Sequence, residues 1–202
     1  EIYDYIESIG GKAVMTADTH ERASDRTAEA LLKIEEKTGK KVDIVTMLQG
    51  DEPMITPKMI HSAIQPLIDD KDIKISNLYA RIKTVKEFED PNEVKVVVDK
   101  EEYAIYFSSE PIPSRKKGVL DVPMLKQVCI IPFDRDFLLE YNSMEQTPLE
   151  IIESVDMMRI IENGMNVKMI YTNQESYAVD TQADLDVVLE IMKTDSFIKK
   201  YL

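Results

Sequence analysis

Apolar and polar positions alternate along this chain in two rhythms. The rhythms change often enough to lay out a series of helices and strands. An amphipathic opening (EIYDYIESIGG) predicts a helix over 1–8 that stops at Gly10-Gly11, with glycine in the capping role. KAVMT (12–16) reads as a short strand, followed by a polar loop. Ala28, Leu31, Leu32 and Ile34 form an apolar stripe and predict a helix over 26–38. DIVTML (43–48) is mostly apolar, the pattern of a parallel-sheet strand covered on both faces. Thr56-Pro57 then opens a helix over 57–69, with Pro at its first position.

Further on, IKISNLYARI (73–82) alternates as a strand. EVKVVVD (93–99) and YAIYFSS (103–109) read as a strand pair across the turn KEE. PIPSRKKGVLDVP is a loop, and LKQVCIIPF (125–133) a further strand. Thr147 with Glu150 makes a capping box for a helix over 148–163, closed by Asn163-Gly164. NVKMIYT (166–172) is a strand, and Thr181 with Asp184 starts the last helix by a similar device. Strands alternate with helices and then cluster. That order predicts an α/β protein, a Rossmann-like core with a mixed central sheet, in one domain over 1–202. The stretch near 100–135 is expected as an insertion in the sheet and a candidate dimer interface.

Composition narrows the functions this fold can serve. The 202 residues carry 25 basic and 38 acidic side chains, a formal charge of −13. Such a balance disfavours binding to a nucleic-acid backbone. It leaves room for a nucleotide whose phosphates are met by a metal ion or backbone N–H groups. Uncharged runs are too short for a membrane span. One cysteine, Cys129, excludes an internal disulfide and suits a reducing, cytoplasmic setting. Two scattered histidines, His20 and His61, make a structural zinc site a poor expectation.

Candidate chemistry lies at the strand ends. Ligands of open sheets bind past the carboxyl ends of strands, and Leu48-Gln49-Gly50-Asp51-Glu52-Pro53 follows such an end. Gly50 permits close backbone approach, and Asp51 on this support suits a hard cation such as Mg²⁺. A solvated turn is the competing reading. Asp180 also follows a strand and precedes a helix, where helix capping by Thr181 is sufficient explanation on its own. Two such aspartates at one sheet edge could share a metal.

Six stretches, in order, resemble the 3-deoxy-manno-octulosonate (KDO) cytidylyltransferases: MTADTHERASDRTAEAL, LQGDEPMI, DPNEVKVVVD, AIYFSSEPIPSR, TPLEIIESVDMMRIIENG and AVDTQADLD. They cover nearly the whole chain. The resemblance implies a glycosyltransferase-A-like nucleotidyltransferase fold, Mg²⁺ as cofactor, commonly a homodimer, and a role in lipopolysaccharide biosynthesis. It implies transfer of CMP from CTP to the anomeric hydroxyl of an acidic sugar, with release of pyrophosphate. Asp51 and Asp180 match the metal-binding aspartates. Gln49, Ser24, Asp25 and Arg26 match nucleotide-side positions, and Arg115 a partner for the sugar carboxylate.

Departures from the family cluster at the sugar-side positions. The family reads Ser-Gly-Thr-Asp-Arg where this chain has Arg22-Ala23-Ser24-Asp25-Arg26. Ser109 stands where the family has a sugar-facing Arg, and Gln127 where it has His. Asp156-Met157 replaces Glu-Gln. Removing a charge-assisted contact costs ~1.5–3 kcal/mol, so the expected substrate is a KDO-like acidic sugar rather than standard KDO. The family's opening strand and its Arg/Lys-rich Gly loop have no counterpart, so the chain is expected to lack the N-terminal nucleotide-binding unit. A non-catalytic nucleotide- or sugar-binding relative is the alternative expectation.

Overall fold

The computed structural model describes residues 1–119, 121–174 and 176–195. Leu120, in the expected 111–123 loop, lies outside the described residues. Helix α1 (Ile2–Ser8) and α2 (Ala23–Thr38) precede β1 (Ile44–Leu48), α3 (Pro57–Asp69), β2 (Ser76–Arg81) and α4 (Val85–Phe88). Then come β3 (Lys95–Val98), β4 (Ala104–Ser108), β5 (Leu125–Val128), β6 (Ile130–Asp134) and α5 (Arg135–Ser143). The last elements are α6 (Pro148–Glu153), α7 (Met157–Glu162), β7 (Lys168–Tyr171) and α8 (Gln182–Met192).

Five strands form a mixed sheet in the order β4-β3-β5-β2-β7, in which β2 and β7 are parallel and the other pairs antiparallel. Strands β1 and β6 form a separate antiparallel pair, with Ile44 opposite Asp134 and Leu48 opposite Ile130. The predicted strand 125–133 is therefore two strands. β5 serves the larger sheet and β6 pairs with β1, with Cys129 between them. An isolated bridge from Ile75 to Phe133 ties β6 back to the larger sheet. The main core packs Phe107, Phe133, Tyr141, Met157, Met158 and Met169 between the strands and helices α2, α5 and α7. A smaller cluster beneath α3 is built on Met59, Ala63, Leu78 and Ile130.

Three expectations are corrected here. First, the apolar run of β1 predicts a parallel-sheet strand covered on both faces, but β1 pairs antiparallel with β6, and Leu48 is exposed. Second, residues 12–16 join no ladder among the described residues. Side chains satisfy this segment's backbone instead. Glu7 accepts from Ala13 N–H at 3.1 Å, Glu29 from Ala17 N–H at 3.0 Å, and Lys33 donates to Met15 C=O at 2.8 Å. Third, the expected helix over 148–163 is broken into α6 and α7. Ser154 sits at φ 56°, ψ 36°, a left-handed conformation that ends α6. α5 was not anticipated from the sequence. Its start is marked by Asp134, whose carboxylate accepts from the N–H groups of Asp136 and Phe137. Within the 100–135 stretch, β5 runs between β3 and β2 in the five-stranded sheet.

The break between α6 and α7 is fixed by a buried ion pair. Arg159 donates from Nε and Nη2 to the two oxygens of Glu150 at 2.7 and 2.6 Å, and both residues are buried. Glu150 also accepts from Thr147 N–H at 3.3 Å, the reach-back of the capping box. The Arg159 guanidinium lies 4.5 Å from the centre of the Tyr141 ring and donates to the carbonyls of Tyr141 and Met144. Removing one member of such a pair strands the other charge without water. Arg159→Met is therefore expected to lower unfolding stability by ~3–5 kcal/mol in urea titrations. Adding Glu150→Gln should recover part of that loss. A single-variant loss below ~1 kcal/mol would show the pair to be dispensable.

Candidate active site

A cleft opens where the end of β1, the β5–β6 junction and the α6–α7 joint converge. It has a volume of about 310 Å³. β1 delivers Met47, and the turn that follows it Gln49, Asp51 and Glu52. The loop before α8 delivers Ala178 and Asp180, and β5 with its junction delivers Gln127 and Cys129. The N-terminal end of α2 brings Arg22, and the α6–α7 joint brings Ser154, Val155 and Asp156.

Two loops far apart in sequence are stitched together at this site. Val179 N–H donates to Asp51 C=O at 2.9 Å, which sets the Asp180 loop against the Asp51 turn. The Ser176 hydroxyl is hydrogen-bonded to the Glu52 carboxylate, and the Thr56 hydroxyl to Gln174 at 2.5 Å. Asp51 and Asp180 are both exposed, so their carboxylates stay available to a ligand. Two oxygen ligands on facing loops suit Mg²⁺, which takes one or two carboxylates and completes its shell with water and substrate oxygens. No group of three or more His, Cys, Asp or Glu side chains placed to hold a metal ion occurs among the described residues.

The remaining predicted residues divide by location. Gln49, Gln127 and Asp156 line the same pocket as the two aspartates. Gln127 is oriented by its Nε2, which donates to Asn77 at 2.6 Å. Ser24 is buried behind the wall and donates to Asp156 at 3.1 Å, so it positions that carboxylate rather than lining the cavity. Asp25 and Arg26 lie outside the lining. Arg26 turns toward the 12–16 segment, donating to Thr16 at 2.6 Å and to Ala17 C=O at 3.1 Å. Ser109 and Arg115 are also outside it. Ser109 N–H donates to Glu153 at 3.3 Å, while Arg115 is exposed, 5.9 Å from the centre of the Phe88 ring. Arg22, Ser154, Asn92 and Glu93 line the cavity without having been singled out as candidates. A Ser154 signal was absent from the sequence, because only the broken helix exposes it.

Electrostatics at the pocket are uneven. Burial raises the Glu52 carboxyl above its ordinary range against the pull of the Ser176 hydrogen bond. Burial likewise raises Asp156, opposed by the charge of Arg22 and by Ser24. The Cys129 thiol is pushed up to about 12, mainly by burial, so it is a protonated wall residue rather than a nucleophile. His20 is bonded to Glu29 on α2, and His61 is exposed on α3, which leaves neither in the pocket.

Asp51 and Asp180 thus line one pocket past the end of β1, and the comparisons with known proteins define its class as nucleotidyltransferase. The Cytidylyltransferase family profile matches residues 1–184. The 3-deoxy-manno-octulosonate cytidylyltransferase of Geotalea uraniireducens is 39% identical over 198 residues, covering 93% of this chain and 76% of the relative. That of Fusobacterium nucleatum is 39% identical over 196 residues, covering 96% and 77%. A solved CMP:2-keto-3-deoxy-manno-octonic acid synthetase complexed with CTP superimposes with a TM-score of 0.83 at 32% identity, covering 95% of this chain and 76% of that one. A putative glucose-1-phosphate thymidylyltransferase from Bacillus anthracis shares the fold, with a TM-score of 0.59 at 11% identity. This chain belongs to the 3-deoxy-manno-octulosonate cytidylyltransferase family of nucleotidyltransferases.

One pH prediction follows from the raised Glu52. A carboxyl whose folded pKa lies above its unfolded value contributes stability that is present below the unfolded pKa and lost as pH rises through the folded one. Glu52→Gln keeps an acceptor for Ser176 and removes the buried charge. The variant should melt above the wild type at about pH 8 and coincide with it at about pH 4. Equal melting at both pH values would show that Glu52 is not held in a costly ionised form.

Proposed function

We propose that the protein transfers CMP from CTP to the anomeric hydroxyl of a KDO-like acidic sugar, with Mg²⁺, in the cytoplasm. The observation that carries this reading is the junction of Asp51 and Asp180 through the Val179–Asp51 bond, in a chain of this family. In the reaction the anomeric oxygen attacks the α-phosphorus of CTP. The bond from that phosphorus to the pyrophosphate oxygen breaks, and the hydroxyl proton is released. Asp51 and Asp180 would hold the Mg²⁺, which when bound offsets phosphate charge and polarises the phosphoryl oxygens. The side chains of Gln49, just past β1, and Gln127, on β5, offer amide hydrogen bonds to substrate hydroxyls and carbonyls. The buried wall of Val155, Met157 and Ile131 excludes water from one side of the cavity.

Support for a cytoplasmic setting comes from the lone, unpaired Cys129. Among the described residues no helix is long and apolar enough to cross a membrane. The reading includes a homodimer formed through the 100–135 region. Its support is the edge strand β4, where Ile105 is 52% exposed, and the nearby exposed Val119. Light scattering behind a sizing column should give twice the chain mass, and a monomer at micromolar concentration would remove this element.

The transfer itself is tested by pyrophosphate release with CTP, Mg²⁺ and a panel of acidic sugars that includes KDO. Release with at least one sugar is expected. Asp51→Ala and Asp180→Ala should each lower it by about 100-fold or more, the scale of losing a charge-stabilising group. Both variants should retain the wild-type melting profile, because neither carboxylate is buried. Undiminished release in either variant would remove that aspartate from the site.

A further inference from the structure

We propose that Arg22 is the cation that grips the carboxylate of the acidic sugar, and thereby selects which sugars this pocket accepts. The inference rests on the transfer reading above. Six carboxylates line the cavity: Glu21, Asp51, Glu52, Glu93, Asp156 and Asp180. Both substrates are anions, so a pocket of this composition repels them unless positive charge is supplied. A metal at Asp51 and Asp180 answers the phosphates. For the sugar carboxylate, Arg22 is the one cationic side chain among the described lining residues.

Its placement suits that role. Arg22 is the N-cap of α2, in extended backbone at φ −117° and ψ 151°, and its side chain makes no capping hydrogen bond. A cation at a helix N-terminus opposes the helix dipole, and an arginine forgoes the cap that the family's Ser offers. Helix stability therefore does not explain the residue. Its guanidinium is held at the α6–α7 joint, with Nη1 3.5 Å from Asp156 and 3.4 Å from the Ser154 hydroxyl, and Nε 3.9 Å from Glu150. These distances exceed the 2.7–2.9 Å of strong charge-assisted bonds, so the group is aimed but unsaturated. Its side chain is 20% exposed. A guanidinium carries five N–H donors in a planar fork that matches a carboxylate.

Ser109, after β4, lies outside the cavity, its N–H donating to Glu153 and its carbonyl accepting from Lys95. Arg22 is the cation on the cavity wall, beside Asp156.

Steady-state pyrophosphate release tests this with wild type, Arg22→Gln and Arg22→Lys. With the preferred acidic sugar, Arg22→Gln should raise the sugar KM about 10- to 100-fold, the loss of one charge-assisted bond. Its KM for CTP should change by less than about threefold. Arg22→Lys should restore part of the sugar affinity, since it keeps the charge without the fork. The same sugar with its carboxylate converted to a primary amide should be used equally poorly by wild type and Arg22→Gln, whereas a purely structural role would penalise both sugars alike. If wild type turns over and Arg22→Gln leaves the sugar KM unchanged, or raises both KM values together, this inference falls and the transfer reading stands. If wild type releases no pyrophosphate with any acidic sugar, both fall. Should Arg22→Gln fail to fold, the Arg22→Lys KM split alone decides, with an unchanged sugar KM overturning the assignment.

Discussion

The Glu150–Arg159 pair is the constraint on which the shape of the pocket depends. Both charges are out of water, so each must stay within reach of the other. That requirement fixes the distance between α6 and α7 and leaves no room for one straight helix. Ser154 takes up the resulting turn in a left-handed conformation, and Val155 and Asp156 are thrown toward the cavity. Arg22 and Asp156 add a second, looser pair next to the first. Two positive and two negative groups thus meet at one joint. The inner pair is locked at 2.6 Å, and the outer one is spaced widely enough to accept a third party.

The opposite side of the site follows a different logic. Asp51 lies in the turn that follows β1, and Asp180 directly before the N-cap of α8, both where the chain has left the sheet. Their proximity is set by backbone and neighbouring side chains. Glu52 is partly desolvated so that Ser176 can pin the second loop. One wall is therefore organised by buried charge and the other by backbone pairing. Asp51 and Asp180 can remain exposed because their neighbours do the positioning.

How much of this could be read in the residues depended on range. Local signals were legible. Thr56-Pro57, Thr181 with Asp184, and the alternation in 93–109 encode their elements within a few residues, and the structure has them. Long-range consequences were not. Nothing near 154 announces a helix break, because its cause, Arg159 bonding to Glu150, competes only once the core has formed. The KAVMT alternation looked like a strand but lost its ladder to side chains of α1 and α2. The sequence presents Asp51 and Asp180 as two loop carboxylates, and the Val179–Asp51 bond that brings their loops together required the fold. Arg22 was noticed as a deviation from a motif. Its place on the wall required the fold, while Ser109 and Arg115 matched sugar-side positions and lie elsewhere.

The strap at residues 13–17 has a consequence for behaviour in concentrated solution. Among the described residues β1 pairs with β6 alone, and a groove lined by Val14, Thr16, Val45 and Leu48 runs beside it. A strand with an open side is a template on which another chain can add its own strand, the first step of ordered aggregation. Here Glu29, Lys33 and Arg26 tether a length of chain alongside that opening. Among the described residues the polar face of α2 thus acts as a guard as well as a scaffold, and the resistance of this edge to strand addition rests on three side chains of that helix.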